Sequence, residues 1–354
     1  MGRWFGIPGA LVAVEPLPGG HIHDTWLATY GSDRAPARHV HQRVNGDVFA
    51  DPAGVTEKVD RVSRHLRTAG VVAPALATGP GDRPYTLGPA GAVWRSYPFL
   101  EGARSFRRFP DCAVASAAGA GFGCFLAALD GLPPPAPAEA IAGFHHFGRR
   151  LAALEDAVAA DRCGRAGGCR AEIDGLRAAR PVPDELARGR AAGRLPERVV
   201  HNDAKADNLL IDDRTGRAAG VLDLDTVARG TVLFDFGDLV RSGAAAGDED
   251  GAATGVRLDV VEALARGYLE GAAGLLTDGE TGLLGLAGPL MAYEASLRFL
   301  TDHLDGDRYF RIDSPGHNLA RARNQLTLLR ALLDARPAVE EMVEAALGAA
   351  AGAG

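Results

Sequence analysis

One short segment of the sequence combines residue types that suit the transfer of a phosphoryl group to a hydroxyl. Residues 201–208 read HNDAKADN and follow an apolar run that predicts a strand. The carboxylate of Asp203 can orient an attacking hydroxyl and take its proton, and the amide oxygen of Asn208 can help to hold Mg²⁺. A polar turn between a strand and a helix is the alternative. The pattern H-x-D-x-x-x-x-N favours Asp203 as a catalytic residue and Asn208 as a metal ligand.

A second acidic segment strengthens this interpretation. Residues 221–225 read VLDLD, so an apolar strand delivers Asp223 across a hairpin that turns at Thr215-Gly216. Mg²⁺ prefers one or two carboxylates together with phosphate oxygens of the substrate, so we expect Asp223 to bind the metal. Asp225 lies one strand period further on and is expected to support Asp223 from outside the coordination sphere.

The sequence also contains Asp235-Phe236-Gly237, the letters of the metal-binding motif of protein kinases. This triplet lies beyond the hairpin, and no predicted strand leads into it. The segment LFDFGDLV instead predicts the start of a helix. We therefore expect Asp235 to brace residues 201–208 by hydrogen bonds rather than to bind metal.

The N-terminal part offers candidates for nucleotide binding. Residues 18–25, PGGHIHDT, join two predicted strands and should lie over the nucleotide phosphates, with Gly19 and Gly20 contributing to the contact. The strand HVHQRV has Arg43 in place of the lysine of kinases, and a guanidinium can bind phosphate through two parallel hydrogen bonds. We expect Arg43 to hold the phosphates, with a surface salt bridge as its alternative role.

The carboxylate partner of Arg43 should come from the following helix, where Glu57 is the first acid. Periodicity counts against Glu57, because it lies about 200° around the helix from the apolar Val55. Two residues near the predicted hinge, Pro98 and Leu100, are also expected to bind the nucleotide.

The N-terminal hundred residues have a strand-like hydrophobic pattern. Runs such as LVAVEPL, TWLATY and ARHVHQRV predict antiparallel strands, and VVAPALAT and AVWRSYPFL predict two more. One helix interrupts them, with Asp51 as its cap and Gly70 at its end. These elements predict a small N-lobe, residues 1–100, that binds the nucleotide.

Helical patterns dominate the rest of the chain. Helices are predicted at 112–130, at 139–160 and over most of the chain beyond Leu258, with a loop around 163–169. We therefore predict a large C-lobe, residues 101–354, and a hinge near 98–102. The complete pattern predicts an α+β, bilobal, protein-kinase-like fold.

Composition excludes several classes of protein. With 354 residues, 47% of them apolar and 23% charged, the chain is expected to be globular, and its net charge of −7 argues against nucleic acid as a partner. The four cysteines have neither zinc-site nor disulfide-framework spacing, and the N-terminus lacks the pattern of a signal peptide. The uncharged run 112–129 is too rich in Gly and Ala for a membrane span, so the sequence predicts a buried helix there and a cytoplasmic location for the protein. The glycines and alanines show no repeat, which indicates compositional bias.

Several segments together resemble the aminoglycoside phosphotransferase (APH) superfamily, and most closely its N-acetylhexosamine 1-kinase branch. They occur in the same order between about residues 10 and 335: GGHIHDTW, HQRVNGDVF, RSYPFLEG, HNDAKADNLLID, VLDLDT, LFDFGDLVR and RFLTDHLDGDRYFRI. The last is typical of that branch. The resemblance implies an APH/choline-kinase-like fold, and phosphorylation of the anomeric hydroxyl of N-acetylglucosamine or N-acetylgalactosamine with ATP and Mg²⁺.

The resemblance also assigns roles to individual residues. Asp203, Asn208 and Asp223 match the family's catalytic and metal positions. Lys205 matches a lysine near the transferred phosphoryl group. Arg43 and His21 match positions on the phosphate or substrate side, and Asp24 lies in the same segment as His21. Arg298 and Tyr309 match sugar contacts. The chain departs from the family at Ala204, at Ser242, which replaces an aromatic residue, and in FHHFGRR. The loss of the ring at Ser242 implies looser discrimination between sugars.

Two other functions are compatible with these motifs. A kinase of an aminoglycoside, amino sugar, choline or homoserine would need an acid-rich pocket for a cationic substrate. The acids that could provide it are Asp225, Asp302, Asp305 and Asp307. The pair Arg298 and Tyr309 favours a neutral acetamido sugar instead. A non-catalytic nucleotide-binding or scaffold protein is the third possibility, and the intact set Asp203, Asn208 and Asp223 argues against it.

Overall fold

The computed structural model describes residues 2–17, 22–31, 36–251 and 255–351. Its strands are β1 Ala10–Pro16, β2 Asp24–Gly31, β3 Ala37–Arg43, β4 Thr86–Leu87, β5 Val93–Pro98, β6 Ala103–Arg104, β7 Arg198–Val200, β8 Leu209–Asp212, β9 Ala218–Val221 and β10 Ala228–Gly230. Its helices are α1 Pro52–Thr68, α2 Cys112–Asp130, α3 Phe147–Ala160, α4 Arg170–Ala178, α5 Pro181–Ala191, α6 Val232–Gly243, α7 Leu258–Gly271, α8 Asp278–Thr281, α9 Leu284–Leu304 and α10 His317–Ala351. This is the α+β, bilobal architecture that the sequence predicts.

The N-lobe is an antiparallel sheet with the strand order β1-β2-β3-β5-β4, accompanied by α1. Helix α1 begins where the sequence predicts, because the carboxylate of Asp51 accepts a hydrogen bond from the amide of Gly54. The apolar residues of one face are buried: Val55, Val59, Val62 and Leu66. The segment 71–78, predicted as a strand, joins no ladder. It carries Pro74, which has no amide hydrogen to donate.

The C-lobe is a helical assembly in which α2 packs on α7, and α9 packs on both α6 and α10. The close contact of α2 with α7 depends on glycine: a side chain at Gly119 would overlap the carbonyl oxygen of Leu264, and one at Gly267 would overlap that of Ser116. These glycines are therefore structural rather than a mere compositional bias. Helix α2 is apolar and long enough to cross a membrane by composition alone, and half of its most apolar window is buried.

The region between α2 and α5 differs from its prediction. Residues 139–146 are not helical, and α3 begins only at Phe147. The preceding residues instead run along the N-lobe, where Lys58 of α1 donates to the carbonyl of Ala138 and Arg61 donates to that of Pro135. This non-helical segment, residues 132–146, therefore contacts α1 before it reaches the catalytic loop.

Two small sheets in the C-lobe bring the segments 201–208 and 221–225 to one cleft. Strands β6, β8 and β9 form one, in that order, and β7 pairs with β10 in the other. Residues 201–208 lie between β7 and β8, and Asp223 is the second residue after the end of β9. The hairpin predicted at Thr215-Gly216 connects β8 and β9, which places both acidic segments at the same end of the sheet.

Candidate active site

The catalytic loop, residues 201–208, is fixed from inside the C-lobe. His201 is fully buried, and its ring packs near Phe122 and Phe125. Its Nε2 donates to the carbonyl of Leu222 at 2.9 Å, and the amide of Leu222 donates to the carbonyl of Asn208 at 2.8 Å. These bonds tie the loop to the strand that delivers Asp223.

Asp203, Lys205 and Asn208 lie together in the loop. The Asn208 amide nitrogen donates to the Asp203 carbonyl at 2.8 Å and to its carboxylate at 3.2 Å, and Lys205 Nζ lies 3.4 Å from the same carboxylate. Burial by itself raises the pKa of Asp203, but Lys205, His201 and Arg298 hold it below its usual value. Asp203 is therefore an ionised acceptor, as a group that takes a proton from a hydroxyl must be.

Asp235 braces the loop, in agreement with the sequence prediction. Its two carboxylate oxygens accept from the backbone amides of His201 and Asn202, both at 2.8 Å, and its side chain is buried. A second brace comes from Ser242, whose hydroxyl accepts from the amide of Ala206 at 2.9 Å. Ser242 thus holds the loop backbone, a role that its side chain fills without an aromatic ring.

Asp223 provides the carboxylate of a candidate metal site. It lies in the left-handed region, with φ of 56°, immediately before a short 3₁₀ turn, and ligand atoms of Asp223, Asp225 and His23 lie within 4.8 Å of one another. Loss of solvation and the nearby carboxylates of Asp225 and Asp203 raise the pKa of Asp223 to about 7. A cation would relieve this repulsion.

The donor set fits Mg²⁺. The amide nitrogen of Asn208 donates to Asp203, so the amide oxygen is the atom of this side chain that could bind a cation. Asp223 and Asn208 therefore offer the hard oxygen ligands that Mg²⁺ prefers. Asp225 is less available, since Arg95 occupies both of its oxygens at 2.6 and 2.7 Å.

A buried ion pair joins the two lobes. Arg95 on β5 and Asp225 in the C-lobe are 3% and 1% exposed. His23 Nε2 donates to Asp225 at 3.2 Å, since Nδ1 of His23 accepts from the amide of Asn45, and Lys58 donates to the Asp225 carbonyl at 2.6 Å. Burial opposes ionisation, but Arg95 and His23 hold the pKa of Asp225 well below its usual value.

Arg43 does not occupy the position predicted for a phosphate-binding cation. Gln42 pairs with Arg95 across β3 and β5 and bonds to it at 2.9 Å, so Gln42 faces the cleft. Successive side chains of a strand point to opposite faces, which turns Arg43 outward. There it forms an ion pair with Asp24, and both side chains are about half exposed. The structure thus agrees with the alternative role of Arg43, a surface salt bridge, and its partner is Asp24.

The other nucleotide-binding candidates have different outcomes. Glu57 is exposed on α1 and makes no ion pair with Arg43, whose partner is Asp24, so the expected pairing is wrong. Pro98 ends β5, and Leu100 lies 37% exposed in the connection between the lobes. Gly19, Gly20 and His21 lie outside the described residues.

The predicted acceptor contacts lie on the C-lobe side of the cleft. The Arg298 guanidinium is stacked near three aromatic rings, 5.0 Å from the centre of Phe144, 5.3 Å from Phe310 and 5.7 Å from Tyr309. Its charge contributes to the low pKa of Asp203, which lies nearby. The structure therefore brings Arg298 and Tyr309 together next to the catalytic loop.

The four acids considered for a cationic substrate are each engaged elsewhere. Asp302 accepts from the backbone amides of residues 308–310 at 2.8 to 2.9 Å, which holds Tyr309 and Phe310 in place. Asp307 pairs with Arg165, Asp305 with Arg162, and Asp225 with Arg95. An acid-rich pocket built from these side chains is therefore absent.

Several residues of this region were not predicted from the sequence. Arg95 and Lys58 have no local signal, because their partner is more than a hundred positions away. His145 contacts both Glu294 and the catalytic loop, yet it lies in a segment predicted as helix. The FHH letters at 144–146, which differ from the usual family loop, were the available signal.

Comparison with known proteins places this arrangement in a family. The model of the phosphotransferase enzyme family (APH) matches residues 13–275. Similar solved structures include a microcompartment-associated aminopropanol kinase, with a TM-score of 0.66, 18% identity and coverage of 92% of this chain and 93% of that one. A GDP complex of aminoglycoside 2'-phosphotransferase-IIIa has a TM-score of 0.55, 15% identity and coverage of 90% and 93%.

A choline/ethanolamine kinase family protein from Mesorhizobium loti has a TM-score of 0.52, 18% identity and coverage of 95% of this chain and 92% of that one. At these identities the solved structures establish the fold. The family match covers most of the chain, including the N-lobe sheet, the catalytic loop and Asp223. The ionised Asp203, its neighbouring cation Lys205 and the oxygen ligands beside them thus belong to a member of the APH family of phosphotransferase enzymes.

Proposed function

We propose that this phosphotransferase transfers a phosphoryl group from ATP to the anomeric hydroxyl of an N-acetylhexosamine, giving the sugar 1-phosphate. The observation that carries the proposal is the cationic, aromatic acceptor side of the cleft. Arg298 lies near three rings and close to Asp203, and Arg150 lies near Arg298. An ammonium substrate would be repelled there, whereas a neutral sugar can stack on the rings and accept hydrogen bonds from the guanidinium.

The engaged acids support the same conclusion. Carboxylates that have no other partner would favour the cationic amine of an amino alcohol or an aminoglycoside. In this chain Asp302 is used by backbone amides, and Asp225 and Asp307 by arginines. Residues 298–312, RFLTDHLDGDRYFRI, resemble the N-acetylhexosamine 1-kinase branch, which supports the same substrate.

The proposed roles of the residues follow from their positions. Asp203 would orient the anomeric hydroxyl and accept its proton at a carboxylate oxygen. Lys205, 3.4 Å from that carboxylate, would lie close to the transferred phosphoryl group. Asp223 and Asn208 would hold Mg²⁺, which when bound neutralises negative charge on the phosphates. Gly19, Gly20, Pro98 and Leu100 remain proposed nucleotide contacts, and His21 a proposed substrate contact.

An acceptor panel tests the proposal. ATP consumption is measured with N-acetylglucosamine, N-acetylgalactosamine, glucosamine, choline, aminopropanol and an aminoglycoside, with the Asp203→Asn variant as the blank for each. The acid stability of the product then identifies the bond, because a sugar 1-phosphate is acid-labile and an ester at O6 or on an aminoglycoside ring is not. An acid-labile product from an N-acetylhexosamine is expected. Turnover of the amines alone, or an acid-stable product, would refute the proposal.

A further inference from the structure

The carbonyl group of Asn202, the residue before Asp203, is held by a histidine from outside the catalytic loop. His145 Nε2 lies 2.7 Å from this oxygen, and Nδ1 lies 2.6 Å from a carboxylate oxygen of Glu294 on α9. The side chains of His145 and Glu294 are 6% and 2% exposed. The His145 ring also packs on Phe234, with 4.3 Å between ring centres. The imidazole is therefore fixed by two hydrogen bonds and by packing.

The two partners determine the protonation of the ring. A carbonyl oxygen can only accept, so Nε2 must carry a hydrogen. Burial raises the pKa of Glu294, but His145, Arg298 and Arg150 hold it below its usual value, so the carboxylate is ionised and accepts from Nδ1. Burial likewise lowers the pKa of His145, and Glu294 more than offsets this and raises it. The ring is an imidazolium that donates from both nitrogens.

Other charged groups surround this pair. Asp238 of α6 also favours the charged ring. Behind Glu294, the Nε atom of Arg150 lies 3.9 Å from the second carboxylate oxygen, and Arg298 is one helical turn further along α9. Glu294 therefore joins the imidazolium to the cationic acceptor side of the cleft.

The peptide that His145 holds has an uncommon conformation. Asn202 has φ of 64°, in the left-handed region that few non-glycine residues adopt. Its amide donates to Asp235 at 2.8 Å, while its carbonyl accepts from His145. The backbone immediately before Asp203 is thus held from both sides, and loss of either bond would free the peptide to rotate.

We propose that His145, charged by Glu294, is a positioning residue that fixes the Asn202–Asp203 peptide and so directs the Asp203 carboxylate at the acceptor hydroxyl. This inference rests on the proposed role of Asp203, but it does not depend on which hydroxyl compound is the acceptor. It gives a role to His145 of the FHH segment, a residue that has no part in the proposed nucleotide, metal or sugar binding.

The test compares kcat and KM for His145→Ala, His145→Gln and Glu294→Gln, using the acceptor of the panel above that the wild type phosphorylates fastest. His145→Ala should lower kcat about tenfold or more while KM for ATP changes less than about twofold, because a misaligned Asp203 affects the reacting geometry and not nucleotide binding. His145→Gln should recover part of the loss, since its amide can still donate to Asn202. The matched control is His146→Gln, because His146 is exposed and caps α3 without touching the catalytic loop.

The pH dependence separates positioning from a merely structural role. In Glu294→Gln the imidazolium loses its counter-ion, so its pKa falls and the ring deprotonates at a lower pH than in the wild type. Its bond to the Asn202 carbonyl then loses the assistance of the charge, and the ratio of variant to wild-type kcat should decrease as the pH rises from about 6 to 8. Selective ¹⁵N labelling of histidine should show that both His145 nitrogens stay protonated to a higher pH in the wild type than in Glu294→Gln. If His145→Ala does not fold, Glu294→Gln decides alone.

Two results would overturn the inference. One is a kcat within twofold of wild type in both His145→Ala and Glu294→Gln, and the other is coincident pH profiles for Glu294→Gln and wild type. Failure of the sugar proposal gives a different result, in which N-acetylhexosamines are not phosphorylated but the variants still lower kcat with another acceptor.

Discussion

Arg95 and Asp225 form a two-pronged ion pair across the cleft, with Nη1 2.6 Å and Nη2 2.7 Å from the two carboxylate oxygens. Both side chains are almost completely buried, and the pair joins β5 of the N-lobe to the turn that follows Asp223. Arg95 is aligned by Gln42 from the neighbouring strand. The pair therefore contributes to the relative position of the lobes and to the shape of the metal-side turn.

Removal of Arg95 alone should strongly destabilise the protein. Arg95→Met leaves the Asp225 charge buried without its main partner, and breaking a buried pair in this way costs about 3 to 5 kcal/mol. The exposed pair of Arg43 with Asp24 provides the control, and Arg43→Ala should cost at most about 1 kcal/mol. Urea unfolding of both variants measures the difference. Equal midpoints would show that Arg95 has no such role.

Asp203→Asn should remove turnover while nucleotide binding stays nearly intact. The carboxylate acts on the hydroxyl proton, and such catalysis is worth about 10²- to 10⁴-fold in rate. The asparagine has the same shape and can keep its contact with Asn208. Steady-state kinetics and ATP titration calorimetry provide the two readouts. A fall in kcat of less than about tenfold would contradict the assignment.

Asp223 and Asp235 should respond differently to truncation. Asp223→Ala should abolish Mg²⁺-dependent activity with little loss of stability, because the neighbouring carboxylates already disfavour its charge. Asp235→Ala leaves the buried amides of His201 and Asn202 without acceptors, at about 1 to 3 kcal/mol each, and should lower the melting temperature. Metal-titrated kinetics and thermal unfolding of both variants test this. A raised Mg²⁺ requirement for the Asp235 variant alone would reverse the two roles.

Truncation of Arg298 or Tyr309 should weaken binding of the acceptor far more than binding of ATP. Each would contact only the non-reacting part of the acceptor, so its removal raises KM for that substrate. A hydrogen bond to a charged group contributes about 1.5 to 3 kcal/mol and one to a neutral group about 0.5 to 1.5, so Arg298→Met should have the larger effect than Tyr309→Phe. A parallel rise in KM for ATP would show that these residues lie elsewhere in the cleft.

The sequence was sufficient for the parts of the site that are encoded locally. Asp203, Asn208 and Asp235 are placed by one loop and one helix start, and their spacing predicted their contacts. The orientation of the side chains on β3 was harder to predict. Whether Gln42 or Arg43 faces the cleft depends on a shift of one residue, which reverses the faces of the whole strand. Charge favoured Arg43, and the pairing of β3 with β5 selected Gln42.

The contacts between distant residues could not be predicted. Asp225 was expected to support Asp223, but its partners Arg95, His23 and Lys58 come from three N-lobe elements. Such a site depends on how the lobes pack together, and hydrophobic periodicity carries no information about that packing. The same applies to His145, which would have been exposed on a helix had residues 139–146 continued α3.

The buried His41 should make the N-lobe sensitive to acid. His41 is 2% exposed and its Nε2 bonds to the hydroxyl of Tyr30 at 2.9 Å. Burial, and to a lesser extent His39, lower its pKa to about 4, whereas the unfolded chain has a value of about 6.5. The unfolded state therefore binds the extra proton, and stability falls as the pH decreases from about 6.5 to 4.

By pH 5 this linkage amounts to about 2 kcal/mol. His41→Phe cannot titrate, so the unfolding free energy of the wild type should fall relative to that of the variant by this amount between pH 7 and pH 5. Urea unfolding at several pH values measures the difference. A difference that does not change with pH would show that His41 is not held neutral.

The convergence of Arg95, His23 and Lys58 on Asp225 also bears on the catalytic cycle. Asp225 lies two residues after Asp223, and its carboxylate and carbonyl together receive all three N-lobe groups. The N-lobe consequently cannot swing away from the C-lobe without releasing the turn that bears Asp223. Opening of the cleft between the lobes would break these contacts, so the geometry of the turn that bears Asp223 is linked to the closed arrangement of the two lobes.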